Sequence, residues 1–532
     1  MADVLKAAAD ALHRQGNYAQ AHWKYSEAIA QTPNNAILYA NRAATSLKLA
    51  DYLGALDDAS EATAIDPLYI RGWSRIASAA EKLHYWETAR SAYMKALSCL
   101  GTETSSLHQQ VFRRELESGL ASATANQNAN LPWDRAVVLN DQNLLKRGTL
   151  PSSGWVIAVA AMWFERGYKP VQQLATNPRF AIALPGMAIW FETINRALEG
   201  LTTGLLNDKR AFKVDPGFID KMEYQMNMET WNTHAWTTIN LNRIKTEFVQ
   251  RLGPEQTPND WNPVRRALAV TVRIWIFKGF IATKRGDHAK AVQHYKRTVE
   301  ILQWGAAKYP HVHRDDRGAH FEASFIRGVQ RLYIPAVIAV IHSSQGSAPG
   351  RTLEDIEKLA RDLKSDTETC APFPNIEAEP GFYAPFWIYP IAEGLCYVGW
   401  VHKQQGIRHK RNKAASEASK EWSKAAKFYT QAAKAYPEDE EERPFLLFAA
   451  FECLCWTGAP LRKTLPLCRQ IRDSMQAADV VWDGARLSMA AEQRAANCRR
   501  AIAFLADNEK KLADKQLTLE DKSMPTFLNE EW

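Results

Sequence analysis

GNYAQAHWKYSEAIAQTPNNAILYANRAATSLKL, residues 16–49, is followed by a second run of the same length, ADYLGALDDASEATAIDPLYIRGWSRIASAAEKL, residues 50–83. The two runs share their landmarks. Pro33 and Pro67 lie 34 residues apart, and the same step links Ala21 to Ala55 and Ala89, and Ala28 to Ala62 and Ala96. Tyr18, Tyr52 and Trp86 hold one position of the period, and Tyr25 and Tyr93 another. A recurring period of this size marks stacked supersecondary units, each too small to bury its apolar face alone. Small residues seven apart let two helices approach closely, aromatic rings fill the space between neighbouring pairs, and each proline ends a helix.

These residues resemble the tetratricopeptide repeat (TPR), a helix–turn–helix unit that stacks into a superhelix. Gly16, Ala21, Tyr25, Ala28 and Pro33 match its consensus in the first of three units covering about residues 2–101. The consensus returns in diluted form at Gly279, Gly286, Ala291 and Tyr295. It returns again at Gly399 and Gly406, whose second helix resumes only at Trp422, with Ala425, Tyr429, Ala432 and Pro437 in register. Elsewhere, 3.6-residue periodicity dominates and strand signals are scarce, the best being 155–160 and 335–341, each equally readable as buried helix. The expected fold is all-α: a TPR superhelix followed by a larger, irregular, solenoid-like region. The expected division is a repeat domain of three hairpins and a capping helix over 1–125, then a linker or irregular connection over 126–153. A helical region over 154–341 follows, with a TPR-like hairpin near 270–303. A loop-rich connection spans 342–382, and a C-terminal helical region spans 383–532, its TPR-like unit interrupted by a basic insertion at 407–420.

In a TPR superhelix the first helix of each unit lines the concave face. Asn41 and Arg75 occupy equivalent positions there, Arg71 stands four residues before Arg75, and Lys6 lies on the matching helix of the first unit. One amide and three cations in one groove suit a terminal carboxylate and an acidic side chain, with charge-assisted hydrogen bonds of roughly 1.5–3 kcal/mol each. The segments LYANRAA (38–44) and RGWSR (71–75) resemble the two-carboxylate clamp of co-chaperone TPR domains, which hold chaperone tails ending Glu-Glu-Val-Asp. The resemblance implies that Lys6, Asn41, Arg71 and Arg75 contact such a tail, and that the partner is a heat-shock chaperone. Two positions depart from it: Ala9 replaces a glycine, and Asp10 replaces the expected asparagine. A carboxylate there cannot donate, repels an incoming acid, and has Lys6 one turn away to pair with.

The rest of the 532-residue chain narrows the alternatives. Lys and Arg exceed Asp and Glu by 66 − 59 = 7, too little for the length to indicate a nucleic-acid partner. The surplus is local: residues 401–436 hold nine basic and two acidic residues, read as a solvated helical segment beside the acidic run 438–442. Seven cysteines without CxxC spacing point to a reducing compartment. No apolar stretch of signal-peptide length follows the first residues, and the longest apolar runs, 155–164 and 445–459, fall short of the ~20 residues a spanning helix needs. A cytoplasmic protein without a membrane span is expected. Eighteen tryptophans call for extensive helix packing.

No GxxxxGK(S/T), HExxH, GxSxG or GxGxxG occurs, and no cofactor is expected. Cys453 and Cys455 read as packed thiols. His311, His313 and His320 are ligand types that metals use, without a second signature to support them. The terminus, residues 527–532 (FLNEEW), is itself an acidic free end that the clamp is able to take. The function expected is therefore an adaptor or co-chaperone-like scaffold. Two alternatives stay open: an enzyme with a site in the middle helices and the TPR as targeting arm, or a structural scaffold with an unused clamp.

Overall fold

A computed structural model describes residues 2–528 apart from 84, 102–105, 128–130, 142–144, 146–151, 175–195, 215–216, 344–351, 371–379 and 483–488. Among the described residues there is no strand. Three hairpins open the chain: α1 (Ala2–Arg14) with α2 (Tyr18–Gln31), α3 (Ala36–Lys48) with α4 (Tyr52–Ile65), and α5 (Ile70–Lys82) with α6 (Trp86–Leu100). The alanines that set the period are fully buried at 21, 28, 55, 62, 89 and 96. With only a methyl group on the contacting face, paired helices close up, and Tyr25 and Tyr93 fill the remaining volume. Asn35 and Asp51 cap α3 and α4 by accepting from the backbone N–H of Ile37 and Gly54.

The capping helix α7 runs Leu107–Gln127 and seats Gly119 against the Tyr93 ring. The stretch expected to be an irregular connection instead carries a helix, α8 (Pro132–Asp141), whose Pro132 stands at a first-turn position that needs no N–H. The middle region contains α9 (Ser153–Gln172), α10 (Ala197–Asn207), α11 (Phe218–Thr233), α12 (Leu241–Leu252), α13 (Pro258–Lys284) and α14 (His288–Lys308). It continues through the short α15 (Arg314–Arg317), α16 (Ala323–Ser343) and α17 (Leu353–Thr369). Both stretches with weak strand signals lie inside helices, 155–160 in α9 and 335–341 in α16. The hairpin expected near 270–303 is α13 with α14, joined at Gly286 with φ +76° and with Tyr295 packed on Gly279.

The last region comprises the single turn α18 (Pro380–Tyr383), a π-helical stretch Ala384–Ile388, α19 (Tyr389–Arg411), α20 (Ala415–Ala435), α21 (Glu442–Trp456), α22 (Leu461–Trp482) and α23 (Met489–Ala513). The insertion at 407–420 is not a separate element. It lengthens α19 and α20, which turn at 412–414. Gly399 sits on the Tyr429 ring, and Gly406, seven residues later in α19, meets the Trp422 ring, seven residues earlier in α20.

One helix bears on the expected absence of a membrane span. The window Ala323–His342 of α16 is long and apolar enough to cross a membrane, although half of it is buried inside the protein. Arg327 and Arg331 break its apolar run in the sequence. Both are accommodated internally: Arg331 pairs with Glu393 at 2.9 Å, and Arg327, 1% exposed, lies over the Trp387 ring. Of the connection expected over 342–382, residues 344–351 and 371–379 lie outside the described residues, as do the terminal residues 529–532, whereas 353–369 form α17.

Distant parts of the chain close on one another. Leu53 and Leu83 pack with Phe212 and Phe280, and Arg285 of the α13–α14 turn reaches Asp57 of α4 at 3.4 Å. Arg210 bridges to Glu440 at 2.6 Å, and Trp482 donates to Ser153 Oγ at 3.0 Å. The superhelix thereby curves around a cavity that is open to solvent.

Candidate functional site

α1, α3 and α5 are the first helices of the three hairpins, and they carry the four clamp candidates. Lys6 and Asp10 lie one turn apart on α1, Asn41 on α3, and Arg71 and Arg75 one turn apart on α5. The structure resolves Asp10 at the centre. Its Oδ2 pairs with Lys6 Nζ at 2.8 Å; its Oδ1 accepts from Tyr25 Oη at 2.5 Å and from Asn41 Nδ2 at 3.3 Å. Burial pushes the Asp10 carboxyl up, but the bonds from Lys6 and Tyr25 and the charges of Lys6 and Arg14 outweigh it and hold it below its ordinary value. The residue that departs from the clamp pattern thus already uses two of the four candidates.

Arg71 and Arg75 are different. Arg71 is exposed and Arg75 half-buried, and neither has a carboxylate or hydrogen-bond partner among the described residues. Burial, and then Arg71, lower the pKa of Arg75, as expected for two like charges one turn apart without a counter-ion. Arg71, Arg75 and Lys6 all act on the Tyr69 hydroxyl, whose pKa burial raises and these three cations pull back. The three cations therefore share one neighbourhood. His13 borders it too, bonded to Thr45 Oγ1 at 2.9 Å, with burial and then Arg75 holding its pKa down. Arg42, the neighbour of Asn41, turns away and is consumed by Asp58 at 2.6 Å.

Sequence reasoning missed Tyr25 and His13 as groove residues. Tyr25 repeats at Tyr93 and reads as a packing ring; that its hydroxyl reaches Asp10 depends on how α1 crosses α2. The histidines at 311, 313 and 320 do not converge. His311 and His313 are exposed, with His313 capping α15, whereas His320 is buried between Phe321 and Phe325, and burial pushes its imidazole down to about 3. No group of three or more metal-ligating side chains occurs among the described residues. Cys453 and Cys455 are buried, and burial pushes the Cys453 thiol up to about 12.

Repeat spacing, helical hairpins and clamp-like groove together define a TPR protein related to the TPR domains of co-chaperones. Over 133 residues the chain is 40% identical to small glutamine-rich tetratricopeptide repeat-containing protein 2 of Saccharomyces cerevisiae, which covers 24% of this chain and 37% of that protein. It is 41% identical over 110 residues to a DnaJ homolog subfamily C member 7 homolog of Schizosaccharomyces pombe, covering 20% and 23% of the two chains. It is also 36% identical over 98 residues to the Hsp70-Hsp90 organizing protein of Triticum aestivum, covering 18% and 17%. The chain thus spans well under half the length of these curated relatives. No protein-family model matches it.

Proposed function

We propose that this protein is a protein-interaction adaptor of the cytoplasm whose N-terminal groove takes the acidic C-terminal tail of a heat-shock chaperone. The observation that carries the reading is the pair Arg71 and Arg75, two unpaired guanidinium groups in the same groove as Lys6 and Asn41. Free guanidinium forks suit planar carboxylates, and two of them one turn apart on α5 suit a peptide that ends in one carboxylate and bears another. The relatives' names, an Hsp70-Hsp90 organizing protein among them, support a chaperone as the partner. The helices beyond the repeats would then present a second partner surface.

Asp10 tunes the affinity. An incoming carboxylate competes with it for Lys6 and Asn41 and meets its charge. Replacement by asparagine keeps an acceptor for Tyr25, frees Lys6 and adds a donor. Fluorescence anisotropy with a labelled peptide ending Glu-Glu-Val-Asp should give micromolar binding, about −8 kcal/mol. Asp10→Asn should tighten it about tenfold, a gain of about 1.4 kcal/mol, and Arg75→Ala or an amidated peptide should weaken it. No binding by either the wild type or Asp10→Asn at ~1 mM peptide sinks the proposal. That outcome favours a second reading, a structural scaffold whose groove Asp10 has closed, for which the three bonds to Asp10 already speak.

A further inference from the structure

The cavity between the three regions is open to solvent and has a volume of about 760 Å³, within the range of small-molecule sites. Its wall includes Lys82 at the end of α5, Lys209 and Lys213 after α10, and Lys284 at the end of α13. None of these four lysines has a carboxylate oxygen within 4.0 Å among the described residues. The contrast with the other cations of the wall is complete. Arg210 is held by Asp208, Glu440 and Glu441, Arg331 by Glu393, and Arg494 by Glu442. The acids whose field reaches Lys209 are Glu393, Glu442 and Asp208, and each is paired with one of those arginines.

Four ammonium groups line one cavity and add positive potential there, and the charge of Lys209 acts on Lys284. Lys82, Lys209 and Lys284 are exposed at the cavity and Lys213 partly so, and crowding by protein atoms, then the charge of Lys209, push the Lys284 ammonium down to about 8. A soluble counter-ion would remove that repulsion. Ammonium groups on flexible stems act as orientation-tolerant point charges, which suits clustered phosphate oxygens, whereas the planar forks that suit carboxylates are all occupied here.

We propose that the lysine wall formed by Lys82, Lys209, Lys213 and Lys284 is a binding site for a small, multiply phosphorylated anion. Such a ligand links α5 of the repeat domain to α13 and the segment after α10, and so fastens the repeat domain to the middle region.

Tripolyphosphate titrated into the full chain by calorimetry, with a parallel thermal melt, tests this. The wild type should bind and melt at a higher temperature with the anion. Lys209→Gln with Lys284→Gln should weaken binding at least tenfold and raise the melting temperature without ligand, because the like-charge contact is gone. Lys82→Gln with Lys213→Gln is the second variant, so misfolding of the first does not end the test. Substituting Lys410, Arg411 and Lys413 by Gln, at the α19–α20 turn, should leave binding unchanged. No binding by the wild type at ~1 mM, undiminished binding by a folded lumen variant, or loss only in the turn variant overturns the proposal. Citrate binding as tightly as tripolyphosphate overturns the phosphate assignment.

Discussion

A carboxylate at position 10 accepts from Tyr25 and Asn41 and pairs with Lys6, so a one-atom change of group alters three partners at once. The clamp positions themselves were legible because they recur with the period: Asn41 and Arg75 are one repeat apart, and a helix brings Arg71 beside Arg75. What the period does not encode is side-chain reach across helices, which is why the Tyr25 hydroxyl and His13 went unread. Burial produces a second residue-scale effect at Glu229 of α11, which is 2% exposed and accepts from the Leu198 N–H at 3.0 Å and Gln225 Nε2 at 2.8 Å. Loss of solvent pushes its carboxyl up to about 7, with Arg273 pulling the other way. Because the folded value exceeds the ordinary 4.5, the native state holds a proton that the unfolded chain has released. Stability from this group is full below about 4.5 and is lost as pH rises through 7. Glu229→Gln keeps the acceptor without the charge. Urea unfolding should find it level with the wild type near pH 5 and more stable by roughly 2–3 kcal/mol at pH 8. Equal stability at pH 8 would show that Arg273 already neutralises the carboxylate.

At the scale of elements, the insertion shows what sequence spacing conveys and where it stops. Its fourteen residues, 407–420, were visible as a gap between Gly406 and Trp422. That they continue both helices was not, since a loop and a helical extension leave the same gap. Seven residues on each helix add about 10.5 Å, two turns, and return a facing position to nearly the same side. Gly406 on Trp422 therefore repeats Gly399 on Tyr429. Removing residues 407–420 leaves Gly406-Glu421-Trp422, the pattern of Gly16-Asn17-Tyr18, where Gly16 turns the chain at φ +79°. The shortened chain should fold cooperatively, with a melting temperature within about 5 °C of the parent, as expected when a solvated extension is removed. Loss of cooperative unfolding would mean that the extended arms stabilise the rest. A sharper test of helix contact is Gly200 on α10, where a Cβ would collide with the backbone of Gly167 on α9. Backbone has no rotamer to yield, so Gly200→Ala should destabilise by at least the ~1–3 kcal/mol of ordinary overpacking. Gly399→Ala, facing the Tyr429 ring at 3.1 Å, should cost less.

For the whole molecule, closure was the least legible feature, because its contacts join residues hundreds of positions apart and carry no period. Arg210 and Glu440 are separated by 230 residues, Ser153 and Trp482 by 329. The fold class and the stacked hairpins follow from local pattern; the lumen follows only from how the stack curves back. Arg210 is the node where that curvature is fixed. Its guanidinium contacts Asp208 at 2.6 Å, Glu440 at 2.6 Å and Glu441 at 3.4 Å, and lies 4.0 Å over the Trp482 ring. Tyr389 adds a hydroxyl to Glu440. Three acids share this cation, and the charges of Arg331 and Arg494 also reach Asp208 and Glu441. Burial pushes Glu440 and Glu441 up, and Arg210 pulls them back. Arg210→Met removes the counter-charge while keeping a flexible apolar chain over Trp482. It should cost about 3–5 kcal/mol at pH 7.5, the usual penalty for stranding buried charge. The loss should shrink near pH 5, where the stranded carboxyls take up protons, and Glu440→Gln added to Arg210→Met should recover part of it at pH 7.5. Denaturant unfolding gives the energies, and proteolysis between the middle and C-terminal helices reports opening. A cost below ~1 kcal/mol at pH 7.5, or one independent of pH, would place the closing energy in the apolar contacts around Trp482 instead.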